Sequence, residues 1–443
     1  MDPVAARVHE EGWQSWSPSG TYTLTATPYR PANDTWATMS HRPGRTIPPG
    51  AFQGEGLLAL DPGDGSPVRL WAAADPLRAV PSIRLTVREG RAEVSADGPV
   101  TEHSHRPGPG GIQSALAAWA DGLGLPAPRP APTVWCSRYE HFNAVTEDDI
   151  HENLTAMDAL ALPVDVVQID DGHQSALGDW LTLSSRFTSR SALADTIRAR
   201  GRRAGIWTAP FLVDPRSELA AFHPDWLVRT PDGSPLRAGR TRGHDLYVLD
   251  TTHLAAAAYL IEVFAVLRIE GYDYFKVDFL YAGALDGVRH SGADALTAYR
   301  EGIALIREAI GADAYLLGCR APILPSIGLL DATRVSPDPV PHRHPEAENF
   351  GQPSLDRAEF TGTGRQWQHG RLWANAPGRL MARHPVESRE RWAAYLETAG
   401  GLMAAGDRLL SLDDWGVTTA RRLLGASSRS APSATSSLGA DHQ

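Results

Sequence analysis

The chain is poor in residues that several functions require. Its two cysteines, Cys136 and Cys319, exclude a disulfide framework and a CxxC site. The net charge of −10 argues against binding to nucleic acid, because a phosphate backbone requires a basic face. No apolar run reaches the length of a membrane span, and no signal-peptide pattern opens the chain. We therefore expect a cytoplasmic protein with no membrane partner.

Lysine is the scarcest charged residue. Lys276 is the only lysine among 42 lysines and arginines, and it lies in YFKVDF, whose aromatic and β-branched residues indicate a buried strand. Asp278 follows two residues later, and side chains at i and i+2 of a strand share a face. A compact ammonium fits between closely spaced acceptors where a planar guanidinium does not. We predict that Lys276 and Asp278 face one polar site.

Two regions of different pattern follow each other along the chain. Residues 1–125 alternate polar and apolar positions between turn clusters such as DPGDGSP, which is typical of antiparallel β structure, and a proline-rich linker follows. Residues 126–425 alternate eight short apolar strands with amphipathic helices. This pattern favours the α/β class, and within it a closed (β/α)8 TIM barrel over an open sheet. Residues 426–443 are predicted to be a disordered, low-complexity tail.

Polar residues are concentrated where the predicted strands end, which is where such a barrel carries its catalytic groups. They are Asp170, Asp171, Trp207, Lys276, Asp278, Cys319, Arg334 and Asp338. Carboxylates facing one cleft beside tryptophans, with no glycine-rich nucleotide motif, suit glycoside hydrolysis by two carboxyl groups. Asp278 is the predicted nucleophile and Asp338 the predicted acid/base. Taken singly, each aspartate is equally compatible with a turn or a helix cap.

Other interpretations of these residues stay open. Asp170 and Asp171 are adjacent and point to opposite faces if the strand continues, so at most one is expected to contact ligand directly. Trp207 suits core packing at least as well as sugar stacking. Cys319 suits a small buried residue better than a nucleophile. The segment PHRHPE, residues 341–346, resembles a metal cluster, but its prolines favour a solvated loop. We predict no metal.

The motifs together resemble those of a known enzyme family. WCSRYEHF, VVQIDDGH, AGIWTAPF, HPDW, YFKVDFLYAGA, LGCRAPILP and RVSPD, in this order, are similar to motifs of the α-galactosidases of glycoside hydrolase family 36. GWQSWSPSG, at residues 12–20, resembles the start of the antiparallel β-sandwich that precedes the barrel in that family. The resemblance runs from about residue 10 to about residue 420.

The resemblance implies a retaining exo-α-galactosidase that acts by double displacement on oligosaccharides, with no metal or organic cofactor. It implies Asp278 as the nucleophile and Asp338 as the acid/base. Homo-oligomers are compatible with the family. The residues that it assigns to the subsite for the terminal galactose are Asp170, Asp171, Trp207, Lys276, Cys319, Arg334 and Tyr139.

The chain departs from the family pattern at several positions. Arg138 and Glu140 replace a tryptophan and a histidine of the family's WCSWYHYF, and Ala376 and Gly378 replace two acidic residues after the seventh strand. Of the family's acidic pair after the eighth strand, this chain has one member, Asp407. The family's C-terminal β domain is expected to be reduced or absent. Two alternatives stay open: a glycosidase or transglycosylase for another α-linked sugar, and a non-catalytic sugar-binding homologue.

Overall fold

The structure is a computed structural model that describes residues 1–31, 33–106, 108–241, 243–341 and 353–428. The histidines and the glutamate of PHRHPE lie outside the described residues. Residues 426–428 of the predicted tail belong to the last helix, so they are not disordered, and residues 429–443 lie outside the described residues. The side chain of Tyr139 is likewise not described.

The first part of the chain is antiparallel, as predicted. One sheet has the order β2-β1-β4-β5-β8 and a smaller one the order β3-β6-β7. Apolar side chains of both sheets, among them Leu58, Leu60, Ile83 and Leu85, belong to one hydrophobic cluster. The arrangement of the sheets as a sandwich stays a prediction. The elements of this part are β1 (Arg7–Glu10), β2 (Gly20–Thr23), α1 (Asp34–Ser40), β3 (Phe52–Glu55), β4 (Leu57–Asp61), β5 (Val68–Ala73), β6 (Ser82–Arg88), β7 (Arg91–Ala96), β8 (Val100–His105) and α2 (Gly111–Asp121).

The second part is built on a parallel sheet of nine strands, and each of the eight predicted strand segments contains one of them. Its order is β18-β17-β16-β15-β11-β10-β9-β20-β19, and β12-β14-β13 form a small antiparallel sheet. The strands are β9 (Val134–Cys136), β10 (Val166–Ile169), β11 (Arg203–Thr208), β12 (Leu212–Val213), β13 (Arg237–Thr241), β14 (His244–Val248), β15 (Tyr272–Val277), β16 (Tyr315–Gly318), β17 (Ala332–Arg334), β18 (Ala374–Ala376), β19 (Arg379–Leu380) and β20 (Ala404–Ala405).

Helices connect most of the parallel strands, and their starts follow from local sequence. The Thr146 hydroxyl accepts a hydrogen bond from the Asp149 backbone while the Asp149 carboxylate accepts one from the Thr146 backbone, which together form a capping box. No helix among the described residues is long and apolar enough to cross a membrane. The helices are α3 (Arg138–His141), α4 (Glu147–Ala159), α5 (Arg190–Ala199), α6 (Glu218–Phe222), α7 (Leu254–Ile269), α8 (Ala295–Ile310), α9 (Leu355–Gly364), α10 (Arg389–Ala399) and α11 (Asp414–Ser428).

The parallel strands are buried on both faces, which explains why their sequences are apolar runs without alternation. β10 and β16 are buried at every position, and β15 at all but one. Parallel strands bring their C-terminal ends to one edge of the sheet. The polar residues that follow these strands therefore meet there.

A segment of the N-terminal part reaches this same edge. The Ser15 backbone N–H donates to the carbonyl of Ala321 at 3.0 Å, and the Ile323 N–H donates to the carbonyl of Trp13 at 2.9 Å. Arg365, fully buried after α9, donates to the Ser15 carbonyl at 2.7 Å. These bonds hold Trp16 beside the strand ends.

Candidate active site

A cavity of about 230 Å³ lies where the parallel strands end. Five of the residues that line it were predicted from the sequence: Asp171, Trp207, Lys276, Asp278 and Asp338. The others are Trp16, Arg138, Phe142, Asn143, Leu177, Thr241, Phe279 and Arg320. The structure thus brings the two predicted catalytic carboxylates to one cavity, although they lie sixty residues apart along the chain.

Asp278 is fixed by hydrogen bonds from two sides. Its Oδ2 accepts a bond from Trp207 Nε1 at 3.1 Å, and its Oδ1 accepts one from the Phe279 N–H at 2.7 Å. Phe279 has a left-handed backbone, with φ +53°, at the sharp turn after β15. Strained positions of this kind are held by their surroundings and occur preferentially at functional sites. The carboxylate is therefore oriented before any ligand arrives.

Lys276 connects the buried carboxylates. Its Nζ lies 2.9 Å from Asp170 Oδ2 and 3.9 Å from Asp278 Oδ2, and the side chain is 3% exposed. Burial and Arg379 act to lower the pKa of Lys276, but Asp170 and Asp278 together raise it above its ordinary value. The ammonium is charged at neutral pH and faces a carboxylate on each side.

Asp170 lies behind the cavity and does not line it. Burial alone would raise the pKa of this carboxyl, but Lys276 and Arg379 hold the pKa well below its usual range. Gln168 Nε2 donates to its Oδ2 at 2.6 Å. Asp171 points elsewhere, accepting a hydrogen bond from Gln174 at 2.8 Å and lining the cavity. The two adjacent aspartates thus have different partners.

Asp338 is held by the arginine four residues before it. Arg334 Nη1 lies 3.4 Å from Asp338 Oδ1, and Arg334 Nη2 donates to the Pro337 carbonyl at 2.9 Å. Burial tends to raise the pKa of Asp338, but Arg334 above all, then Lys276, brings the pKa below its usual value. The Asp338 side chain is 16% exposed and Arg334 only 3%, so the arginine lies behind the carboxylate and does not line the cavity.

Cys319 also lies behind the cavity wall. It is 1% exposed, and burial raises the pKa of its thiol well above its usual value. Its backbone N–H donates to the Val277 carbonyl at 2.8 Å, which links the end of β16 to the end of β15. The side chain is the small buried residue that sequence reasoning favoured. The role predicted for Tyr139 stays a prediction.

Eight residues that line the cavity were not among the predicted site residues, and Trp16, Phe279 and Arg320 are three of them. Trp16 comes from the N-terminal part, Phe279 follows the nucleophile candidate, and Arg320 follows Cys319. The available signal for Arg320 was a charged residue inside the otherwise apolar stretch LLGCRAPILP. No signal in the sequence reports that Trp16 reaches the strand ends, because that position depends on backbone bonds to residues three hundred positions away.

The residues that depart from the family pattern make ion pairs or packing contacts in the structure. Arg138 Nη1 lies 3.3 Å from Asp171 Oδ2. Arg383 bridges Glu140, at 3.3 Å, and Asp407, at 2.7 Å. At Gly378, with φ +150°, an added Cβ would lie 2.7 Å from Cζ2 of Trp392, so the indole occupies the space that an acidic side chain would need.

Within the described residues, no group of three or more histidine, cysteine, aspartate or glutamate side chains is arranged to hold a metal ion. Three ion pairs set lysine or arginine against aspartate at the site: Lys276 with Asp170, Arg138 with Asp171, and Arg334 with Asp338. Such an arrangement can orient two carboxylates and bind hydroxyl groups.

Comparison with known proteins gives consistent results. The Melibiase family model matches residues 135–299. The α-galactosidase AgaA from Geobacillus stearothermophilus is 29% identical over 153 residues, which cover 32% of this chain and 20% of AgaA. An Escherichia coli α-galactosidase is 32% identical over 129 residues, which cover 27% of this chain and 18% of that protein. The matched segments thus span about a fifth of these curated relatives.

Solved structures match over more of the chain. The α-galactosidase TtGalA from Thermus thermophilus, solved in complex with p-nitrophenyl α-D-galactopyranoside, has a TM-score of 0.81 and 31% sequence identity. The match covers 96% of this chain and 87% of that one. The family 36 enzyme AgaA from Geobacillus stearothermophilus has a TM-score of 0.63 at 14% identity, covering 96% of this chain and 62% of that chain, a likeness that shows the fold alone.

Proposed function

The chain belongs to the melibiase family of α-galactosidases, and on that premise we propose that it is a retaining exo-α-galactosidase that releases terminal α-linked galactose from oligosaccharides. One observation carries the proposal: Asp278 and Asp338 line the same cavity. Each lies beside a buried cation, Lys276 and Arg334 respectively. Two carboxyl groups in one water-accessible cavity are what hydrolysis by double displacement requires.

The proposed reaction has two steps. In the first, Asp278 attacks the anomeric carbon of galactose while Asp338 donates a proton to the glycosidic oxygen, so the leaving group departs as an alcohol and a galactosyl ester forms on Asp278. In the second, Asp338 takes a proton from water, the water oxygen attacks the anomeric carbon, and the ester bond breaks. Two inversions retain the α configuration.

The surrounding residues take supporting roles in this proposal. Lys276 and Asp171, which line the cavity, bind galactose hydroxyls. Trp207 orients Asp278 through its indole N–H and offers a ring face to the sugar. Asp170, Cys319 and Arg334 lie behind the cavity wall. We therefore assign them positioning rather than direct contact, with Asp170 fixing Lys276 and Arg334 fixing Asp338.

We also propose that the parallel sheet closes into the (β/α)8 barrel of residues 126–425. β18 pairs with β17, and β19 pairs with β20. Pro377 and Gly378 alone separate β18 from β19 along the chain, so the two ends of the sheet are the halves of one interrupted strand. Residues 1–125 would form the preceding β-sandwich domain. A cytoplasmic location and homo-oligomers stay predictions from the sequence.

The test is hydrolysis of aryl α-galactoside beside the α-glucoside and the N-acetyl-α-galactosaminide. We expect activity on the galactoside alone. Asp278→Asn should lower turnover by about three orders of magnitude or more, while Asp273→Asn, on β15 but outside the cavity, should retain it. Asp278→Gly with azide should yield β-galactosyl azide, which identifies the nucleophile and the retaining course.

Three other results would contradict the proposal in different ways. Preference for the glucoside or the galactosaminide would favour an enzyme for another α-linked sugar. If the folded protein hydrolyses none of the three substrates, a non-catalytic sugar-binding homologue would be favoured. Near-normal turnover of Asp278→Asn would show that another residue is the nucleophile.

A further inference from the structure

His173 is a fully buried histidine in the segment that follows β10, and it does not line the cavity. Its Nε2 lies 2.9 Å from the carbonyl oxygen of Trp207. Because a carbonyl oxygen can only accept, Nε2 carries the ring proton and donates it. Burial lowers the pKa of His173 to about 4, so the ring is neutral at neutral pH. This bond is the one hydrogen bond that the ring makes to the described residues.

The histidine supplies a hydrogen-bond donor that the sheet does not provide. β11 pairs with β10 only as far as Ile206, but it pairs with β15 as far as Thr208. The Thr208 carbonyl accepts a hydrogen bond from the Asp278 N–H at 2.8 Å, on the β15 side. The carbonyl of Trp207 is buried beyond the end of the β10 pairing, and a buried carbonyl without a donor costs free energy. His173 is that donor.

The residue held in this way is the one that orients the nucleophile candidate. Trp207 Nε1 donates to Asp278 Oδ2 at 3.1 Å. The backbone from which the indole extends is fixed by pairing with β15 on one side and by His173 on the other. A shift of this backbone displaces the indole N–H, and a hydrogen bond weakens steeply as it bends. Loss of the His173 bond should therefore weaken the bond to Asp278.

The backbone of His173 is anchored from behind. Its carbonyl accepts a hydrogen bond from the Ser184 N–H at 2.8 Å. The carbonyl of Gly172 accepts one from the Ser184 hydroxyl and one from Arg186 Nη2, both at 2.9 Å. Three bonds thus hold the two residues in place, so the imidazole is a fixed donor to the end of β11.

We infer that His173 is a positioning residue for the proposed reaction: it holds the end of β11 so that the indole N–H of Trp207 points at the Asp278 carboxylate. This inference rests on the proposed function, in which Asp278 is the nucleophile. His173 acts through Trp207, because its ring bonds to the carbonyl of that residue and lies outside the cavity lining.

The test compares two amides at this position. Glutamine places its amide nitrogen about as far from Cα as Nε2 of histidine, whereas asparagine places its nitrogen about where Nδ1 lies. With nitrophenyl α-galactoside, His173→Asn should lower kcat/KM by about tenfold, the size of one weakened hydrogen bond to a charged group. His173→Gln should stay within about threefold of the wild type. Equal loss in both variants, or loss in neither, would overturn the inference. His173→Leu also lacks the donor, so it should match His173→Asn and replaces it if that variant does not fold.

The control is His369→Leu. Nδ1 of His369 accepts a hydrogen bond from the Asn375 N–H at 3.2 Å, so this histidine also bonds to the backbone of the parallel sheet, but it does not line the cavity. The variant should lower the urea midpoint and leave kcat/KM within about threefold of the wild type. A fall in kcat/KM equal to that of His173→Asn would mean that general loosening of the sheet explains both, and would overturn the inference.

A double-mutant cycle tests the route from His173 to Asp278. In a Trp207→Phe background the indole donor is already gone, so His173→Asn should change kcat/KM by less than about threefold there. A full tenfold loss in that background would show that the histidine acts through another neighbour, such as the segment that carries Asp171, and the inference would be wrong.

An NMR measurement separates failure of this inference from failure of the proposed function. If the wild-type protein hydrolyses no α-galactoside, the proposed function fails, and the indole N–H signal of Trp207, identified by its absence in Trp207→Phe, decides the inference. The proton shift of this signal should move upfield in His173→Asn, because the bond to Asp278 weakens, and should stay in place in His173→Gln. An unchanged signal in His173→Asn, or the same displacement in both variants, would contradict the inference.

Discussion

Lys276 has its closer partner in Asp170, at 2.9 Å, and not in Asp278, at 3.9 Å. The sequence pattern connected the lysine with Asp278 because side chains at i and i+2 of a strand share a face. The structure shows that Asp170, from the neighbouring region after β10, anchors the ammonium from behind. Two of its three hydrogens therefore remain for Asp278 and for a ligand.

Removing this lysine should destabilise the fold as well as the site. Lys276→Met leaves Asp170 buried with Arg379 at 3.5 Å as its remaining cation, and breaking a buried pair costs about 3–5 kcal/mol. Urea denaturation should show this loss, and Asp170→Asn in the same chain should restore part of it. Arg203→Met breaks a pair with Asp273 that is a third exposed on both sides, and should cost about 1 kcal/mol or less. Equal costs would contradict the buried-pair account.

Trp207→Phe should affect turnover more than stability. It removes the indole N–H that Asp278 accepts at 3.1 Å, and loss of a hydrogen bond to a charged group corresponds to about a tenfold to hundredfold fall in kcat/KM. Trp180→Phe is the matched control, because Trp180 packs edge-on against Trp207 at 5.8 Å between ring centroids but does not contact Asp278. If both variants lose turnover equally, packing rather than orientation of the carboxylate is responsible.

The pH profile should respond to Arg334. A cation beside a carboxyl favours the ionised form, so Arg334 lowers the pKa of Asp338. Arg334→Met should raise that pKa. The protonated acid would then persist to higher pH, and the alkaline limb of kcat/KM, which reports the free enzyme, should move upward.

The leaving group provides the control for this shift. Dinitrophenolate leaves without protonation, so its galactoside should show little movement of the alkaline limb in Arg334→Met. A substrate with a poor leaving group does need the acid. If Arg334→Met leaves the alkaline limb of kcat/KM unchanged with such a substrate, Asp338 is not the proton donor.

Gly378 should tolerate no side chain. Gly378→Ala places a Cβ 2.7 Å from the Trp392 ring, and overpacking of this kind costs about 1–3 kcal/mol. Gly233 also has positive φ, +86°, but nothing within 4 Å of its Cβ position, so Gly233→Ala measures the backbone cost alone. Urea midpoints should show the larger loss at Gly378. Equal losses would mean that the tryptophan moves aside freely.

Local patterns predicted the strands and most helices because their causes are local. The apolar runs that became β10, β15 and β16 end in polar residues, and a threonine with acidic neighbours begins α4. The antiparallel strands β12–β14 and the helix α9, which contains two glycines, have no clear local signal in the sequence. Short elements like these are stabilised by tertiary packing more than by their own sequence.

The same distinction applies to the site. The polar residues at strand ends were recognisable because the C-terminal ends of successive parallel strands lie side by side at one edge of a barrel. The sequence did not show which of these residues line the cavity, because Asp170, Cys319 and Arg334 lie one layer behind its wall. Trp16 and Arg320 line it through contacts between distant segments, which no local pattern reports.

The backbone bonds from Trp13 and Ser15 to residues 321–323, and the clamp by Arg365, have a consequence for synthesis. The partners that hold the Trp16 segment are synthesised only when roughly three hundred more residues have been added after it. If the antiparallel sheets fold during synthesis before the later residues follow, the Trp16 segment stays without these partners until then. Catalytic competence would therefore appear late and abruptly during translation, and chains truncated before Arg365 would lack it even with both strand-end carboxylates already made.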